Sequence, residues 1–158
     1  MAERVTKKEI GALLDRRDYQ AIIDRLITVS DQRMAVRGPG DAFRVFSKYR
    51  AKPVEQFLVA TFDGAHKLIA VHVITTGIAD KTLAHPREVF LAAVTDRASA
   101  IITAHNHPSG QLEPSAADFS LHKRIEDAGK LMGIDLLDEF VITNKGAISL
   151  VSGDTYRY

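Results

Sequence analysis

Two histidines, a serine and an aspartate crowd one short stretch, His105-Asn106-His107-Pro108-Ser109-Gly110 followed by Pro114-Ser115-Ala116-Ala117-Asp118. The apolar run Ala100-Ile101-Ile102-Thr103-Ala104 just before it reads as a strand buried on both faces. Strand side chains repeat with period two, so His105 and His107 at its end face one side and can reach one cation. Asp118 falls in the first turn of a following helix capped by Ser115, where the loop can return it to the strand end. Two imidazoles and a carboxylate would leave the fourth tetrahedral position of zinc open to water, as catalytic sites do. Zinc lowers the pKa of such a water to about 7, which makes a nucleophile available at neutral pH. The expected cofactor is therefore one Zn2+ per chain on His105, His107 and Asp118. Ser115-x-x-Asp118 has a plainer reading as a capping box, and a lone His-x-His pair is weak. Placement directly behind a buried strand favours the metal, since open sheets carry their sites at strand ends.

Hydrolysis also needs a base to take a proton from the water and pass it to the leaving group. Two glutamates compete: Glu55, at the start of a strand, and Glu88, in Ala84-His85-Pro86-Arg87-Glu88-Val89-Phe90. Spacing alone does not choose between them.

The elements that must position these groups are legible in outline. Thr6-Lys7-Lys8-Glu9 reads as a capping box for a helix with Ile10, Leu13 and Leu14 on one face. Ile22, Ile23, Leu26 and Ile27 continue at helical spacing. Gly38-Pro39-Gly40 breaks the chain, and Asp41 is expected to cap a helix carrying Ala42, Val45, Phe46 and Tyr49 that stops at Pro53. Phe57–Phe62 and Leu68–Ile74 alternate around an Asp63-Gly64 turn and predict a hairpin. A helix begins near Pro86, and Gly133 ends the one that Ser115 caps. Phe140-Val141-Ile142 and Ile148-Ser149-Leu150-Val151 flank Asn144-Lys145-Gly146 as a closing hairpin. The sum is an α/β fold: a mixed sheet flanked by helices, with residues 1–40 as a helical N-terminal extension to a domain at 41–158.

Composition narrows the chemistry. With 158 residues the chain can bury roughly 70% of its unfolded surface without crosslinks. It has no cysteine, which excludes disulfide frameworks, thiol nucleophiles and cysteine-held zinc. No run approaches a membrane span, and the start lacks the apolar core of a signal peptide, so a cytoplasmic protein without a membrane partner is expected. The net charge of +1 hides an asymmetry: residues 1–52 hold 12 Lys/Arg against 7 Asp/Glu, a net of +5. Such a segment could touch nucleic acid, although its mixed charges and few aromatics favour a solvated face.

Three spaced motifs, the His105–Asp118 stretch, Ala84–Phe90 and Gly133-Ile134-Asp135-Leu136-Leu137-Asp138, resemble the RadC-like branch of the JAB/MPN (JAMM) metalloprotease superfamily over roughly residues 40–152. The resemblance implies a cytidine-deaminase-like α/β/α sandwich, zinc on His105, His107 and Asp118, and Ser115 hydrogen-bonding the developing oxyanion or the water. It also implies that Glu55, beginning the first strand of the domain, is the general base, with Glu88 a supporting contact. Longer RadC-like proteins carry an N-terminal helix-hairpin-helix region, whereas residues 1–40 lack a convincing Gly-x-Gly hairpin. There is little room for the insertions with which relatives grip ubiquitin, so such a grip would need a protein partner or a homodimer. The leading expectation is a zinc metallopeptidase or isopeptidase. The competing ones are a DNA repair or recombination protein, supported by the basic first 52 residues, and a non-catalytic interaction module. His66, His72 and His122 are expected to be surface or packing residues. His85 could line the cleft, and Arg87 either positions an anion or pairs with a neighbouring acid.

Overall fold

The computed structural model describes residues 34–77 and 84–158, together with Ala12. The helices expected in residues 1–33 lie outside that set, Ala12 excepted, which is helical. Among the described residues, six strands form one mixed sheet in the order β2-β1-β3-β4-β5-β6: β1 (Gln56–Phe62), β2 (Leu68–Thr76), β3 (Ala100–Asn106), β4 (Asp135–Ile142), β5 (Gly146–Ser149) and β6 (Thr155–Arg157). All neighbouring pairs are antiparallel except β3 and β4, which run parallel. Parallel neighbours need a long crossover, here supplied by the helix between them. Among the described residues the helices are α1 (Pro39–Ala42), α2 (Pro86–Thr95) and α3 (Ala116–Met132), with a 3-10 segment at Phe43–Tyr49.

Both faces of the central strands are buried. Phe43, Phe46 and Tyr49 cover one face, against Leu58, Ala60, Ile102, Ala104 and Phe140. Helices α2 and α3 cover the other, where Val89, Phe90, Leu121 and Ile125 meet Val59 and Ile101. Each residue of β3 is buried, as the apolar run predicts for a central strand. Gly129 lets α3 approach closely: a Cβ there would collide with the Ile134 carbonyl and crowd the Phe90 ring.

Several elements differ from the sequence reading. Gly38, not Asp41, is the N-cap of the first short helix, with Pro39 preset for its first turn, and the chain then tightens into the 3-10 segment. The first hairpin turn is longer than Asp63-Gly64, with the Asp63 carboxylate accepting from the Ala65 and Lys67 backbone N–H groups; β2 starts at Leu68 as expected but runs on to Thr76 rather than Ile74. Strand β4 starts five residues before Phe140. Asp135, Asp138 and Glu139 mask it in the sequence, but the buried Asp138 carboxylate accepts from the Ser149 hydroxyl at 2.8 and 2.9 Å. Strand β6, which pairs with β5, has no sequence counterpart.

Candidate metal centre

Strand β3 runs one residue pair further than its apolar core suggests, so it carries His105 within the sheet and delivers His107 immediately beyond. The His107 N–H donates to the Ile142 carbonyl at 2.9 Å, which extends the β3–β4 pairing to that residue. The two imidazoles lie with ring centroids 4.9 Å apart. Phe57, on the neighbouring strand, stacks on His105 at 6.3 Å. Ligand atoms of Glu55, His105 and His107 all fall within 4.8 Å of one another. Of the two competing glutamates, Glu55 is thus the one brought to the histidines. Glu88 sits in the first turn of α2, where Arg87 Nε donates to its Oε1 at 3.1 Å.

Asn106 explains how Glu55 arrives there. Its side chain points to the face opposite His105 and is fully buried. Its Oδ1 accepts from the Gln56 N–H at 2.8 Å, and its Nδ2 donates to the carbonyls of Val54 at 3.1 Å and Lys52 at 3.3 Å. The Gly77 N–H donates to the Glu55 carbonyl at 2.8 Å. Gly77 has φ +66 and its position leaves little space beside Val54, so a side chain there would be strained. Glu55 is therefore held on a backbone fastened on both sides while its side chain stays exposed.

Asp118 takes up the capping-box reading in full, while the group whose ligand atoms converge is Glu55, His105 and His107. The capping box is complete: Asp118 N–H donates to Ser115 Oγ, and Asp118 Oδ2 accepts from the Ser115 N–H at 2.6 Å and its hydroxyl at 2.7 Å. The other oxygen, Oδ1, lies 3.5 Å from His105 Nε2. The single hydroxyl proton of Ser115 goes to Asp118, so an oxyanion role would require that proton to turn away.

Glu139 carries no motif in the sequence, yet it lies under the histidines with 0% exposure. Its Oε1 is 3.6 Å from His105 Nδ1, and His122 Nδ1 donates to its Oε2 at 3.2 Å. His122, expected as a surface or packing residue, thus belongs to the support of the site. The only sequence signal was an acid directly before the apolar run Phe140-Val141-Ile142. Elsewhere, His72 joins Asp96 at 2.6 Å, and His85 caps α2 by accepting from the Arg87 N–H. Arg87 takes the ion-pair role, with Glu88.

These residues fit a metal ion. His105 Nε2 is buried and has no hydrogen-bond partner, a costly arrangement for a polar atom unless something ligates it. His107 Nδ1 lies 2.8 Å from the Gln111 carbonyl, which can only accept, so that nitrogen carries the proton and Nε2 keeps a lone pair. Glu139 stands to His105 as a carboxylate behind a ligating imidazole commonly does.

Without a metal the cluster is an ion pair. Burial would depress the His105 pKa, but the Asp118 and Glu139 carboxylates outweigh it and push it up to about 9. Burial would likewise raise Asp118 and Glu139, and the histidines hold both below the usual carboxylate range instead. Raised on folding, His105 contributes stability that is complete below 6.5 and lost as pH climbs through about 9. The two carboxylates contribute above their unfolded values and lose that contribution in acid. Metal-free protein should therefore melt highest between about pH 5 and 6.5 and lose midpoint temperature steadily toward pH 9. Melts in chelator would check this, and a flat profile from pH 6.5 to 9 would contradict the pairing. A metal must displace the His105 proton, so its affinity should rise by about tenfold per pH unit over the same window.

A mixed sheet whose central strand ends in paired histidines beside carboxylates defines an α/β domain with a candidate metal site at its strand ends. The chain belongs to the RadC-like JAB domain family, whose family model matches residues 36–155. It is 53% identical over 90 residues to a UPF0758 protein of Thermosynechococcus vestitus, covering 57% of this chain and 36% of that protein. A UPF0758 protein of Methanospirillum hungatei is 48% identical over 101 residues, 64% of this chain and 45% of its own length. One from Picosynechococcus sp. is 43% identical over 132 residues, 84% of this chain and 52% of that protein. The chain thus spans about half or less of the length of these relatives. Among the described residues, no helix is long and apolar enough to cross a membrane.

Proposed function

We propose that this domain is a zinc-dependent hydrolase of amide bonds, a metallopeptidase or isopeptidase of JAMM type, with Glu55 as its general base. The observation that supports it is the convergence of Glu55, His105 and His107 within 4.8 Å, where the buried His105 Nε2 makes no hydrogen bond and meets Asp118 Oδ1 only at 3.5 Å. In this reading His105, His107 and Asp118 hold the ion. When bound, zinc polarises the substrate carbonyl and acidifies a water molecule. Glu55, exposed at the edge of the group, takes the proton from that water and hands it to the departing amine. Ser115 keeps Asp118 oriented through the capping box. Glu139 holds the His105 ring from behind.

A second reading makes Glu55 itself the third ligand, since its carboxylate joins the histidine group while Asp118 Oδ2 is committed to Ser115. Metal content separates the two. Wild type should bind one zinc per chain, and His105→Ala and Asp118→Ala should lose it; loss in Glu55→Gln with retention in Asp118→Ala would exchange the roles of the two acids. If wild type takes up no stoichiometric zinc, the metal claim fails. Amide substrates and DNA should then be tried together. Cleavage of DNA but of no peptide or isopeptide would replace this reading with a repair or recombination role, for which binding would weaken steeply with salt.

A further inference from the structure

The run that carries Glu55 also forms one wall of a second feature. Arg50, Lys52 and Pro53 face His107, Pro108 and Asn144 across a cleft of about 170 Å³. His107 is shared: it stands in the metal group and lines this cleft as well. Among the described residues, no Asp or Glu lines the cleft. Neither cation forms an ion pair with an acid among the described residues. The Arg50 guanidinium lies over the Tyr158 ring at 4.2 Å, a stacking contact that restrains its plane without using its N–H donors. The Lys52 carbonyl is held by Asn106 while its side chain is exposed. Two unpaired cations are thus anchored on a fixed backbone, next to a histidine of the metal group.

From this geometry we infer that the cleft is a subsite for a carboxylate of the substrate, an acidic side chain or a free α-carboxylate beside the scissile amide. The inference rests on the amide-hydrolase reading and adds a substrate class to it. A cleft of about 170 Å³ holds one small side chain and is well below the roughly 300 Å³ at which pockets for larger ligands begin. That size favours a carboxylate over a nucleotide. A planar guanidinium edge matches a carboxylate with two parallel hydrogen bonds, and Lys52 adds a point charge. An acidic residue seated there places its neighbouring amide at the His107 side of the cleft.

The test pairs short fluorescent peptides that differ only by Glu or Gln at one position, each with a free or amidated C-terminus. Affinity is read by anisotropy on the full-length zinc-loaded protein carrying Glu55→Gln, and cleavage on wild type. The expected result is about tenfold or tighter binding of the acidic peptide, with the advantage falling to near unity when Arg50→Gln and Lys52→Gln are added. Amidation separates the sources: a Glu-over-Gln preference that survives it belongs to the side chain, and affinity that the Glu and Gln peptides lose alike on amidation belongs to the α-carboxylate, both within the proposal. Equal affinities for the Glu and Gln peptides that amidation leaves unchanged overturn it. So does a short single-stranded DNA that binds more tightly than the acidic peptide and is weakened by the same two changes. The peptide comparison on the Glu55→Gln protein stands by itself if the added changes impair folding. Selective binding without any cleavage by wild type would leave the subsite in place and remove the hydrolase reading. Cleavage indifferent to charge would do the reverse.

Discussion

Glu55→Gln is expected to leave the domain folded and loaded with metal while lowering kcat on an amide substrate by about 10²–10⁴-fold. Glutamine is nearly isosteric and preserves the backbone contacts that hold the residue, namely the Gly77 N–H on its carbonyl and the Asn106 clamp on its neighbours. What it removes is the carboxylate that takes up a proton. Because Glu55 is exposed and forms no ion pair with a described residue, its loss should shift the thermal midpoint little. Glu88→Gln is the control, since that carboxylate is committed to Arg87 in the first turn of α2. Steady-state kinetics and zinc content on the three proteins decide the matter. Unchanged kcat in Glu55→Gln, or activity lost equally in Glu88→Gln, would remove Glu55 as the base.

Asn106→Ala should be the most damaging change at a residue that touches neither metal nor substrate. It leaves the Gln56 N–H and the Lys52 and Val54 carbonyls without their partner. Water can reach the carbonyls of the exposed Lys52 and Val54, so the loss should total about 2–4 kcal/mol rather than the full cost of three buried groups. For a domain of this size that lowers the midpoint by roughly 6–15 °C. The catalytic effect separates positioning from mere stability. With the segment released, Glu55 leaves its place beside the histidines, and kcat should fall by at least about tenfold at temperatures where the variant remains folded. Zinc affinity should change only a few-fold, because His105 and His107 point away from the clamp. Asn106→Asp keeps an acceptor for Gln56 but turns a carboxylate oxygen on two carbonyls, and should rescue neither property. Full activity in a folded Asn106→Ala protein would show that the clamp does not position Glu55.

Much of this site could be read in the chain because its parts obey local rules. A buried apolar run followed by His-x-His places two imidazoles on one side through the period of a strand. Ser115-x-x-Asp118 announces a helix start through capping chemistry, and Gly133, at φ +67, ends that helix as its type suggests. The mixed α/β architecture followed from the same signals. Where local rules conflicted, the reading slipped. Acids within β4 hid a central strand, and Asp41 looked like a cap although Gly38-Pro39 starts that helix.

Only the folded sheet decided which distant residues meet. The pairing of β1 with β3 sets Phe57 opposite His105, and so brings Glu55 rather than Glu88 to the histidines. The parallel pairing of β3 with β4 sets Glu139 opposite Thr103, from where it reaches His105 and His122. Asn106, an unnamed middle position in the sequence motif, becomes a clamp because alternation turns it to the other face, where it meets a segment some fifty residues earlier in the chain. By itself, then, the sequence determined the residue types, the strand-end histidine pair and the capped aspartate, since these depend on the geometry of a few consecutive residues. The tertiary structure decided the choice of glutamate, the buried acid behind His105 and the cationic cleft beside His107. Each of those depends on strand register and on chain segments tens of residues apart, which no local periodicity encodes.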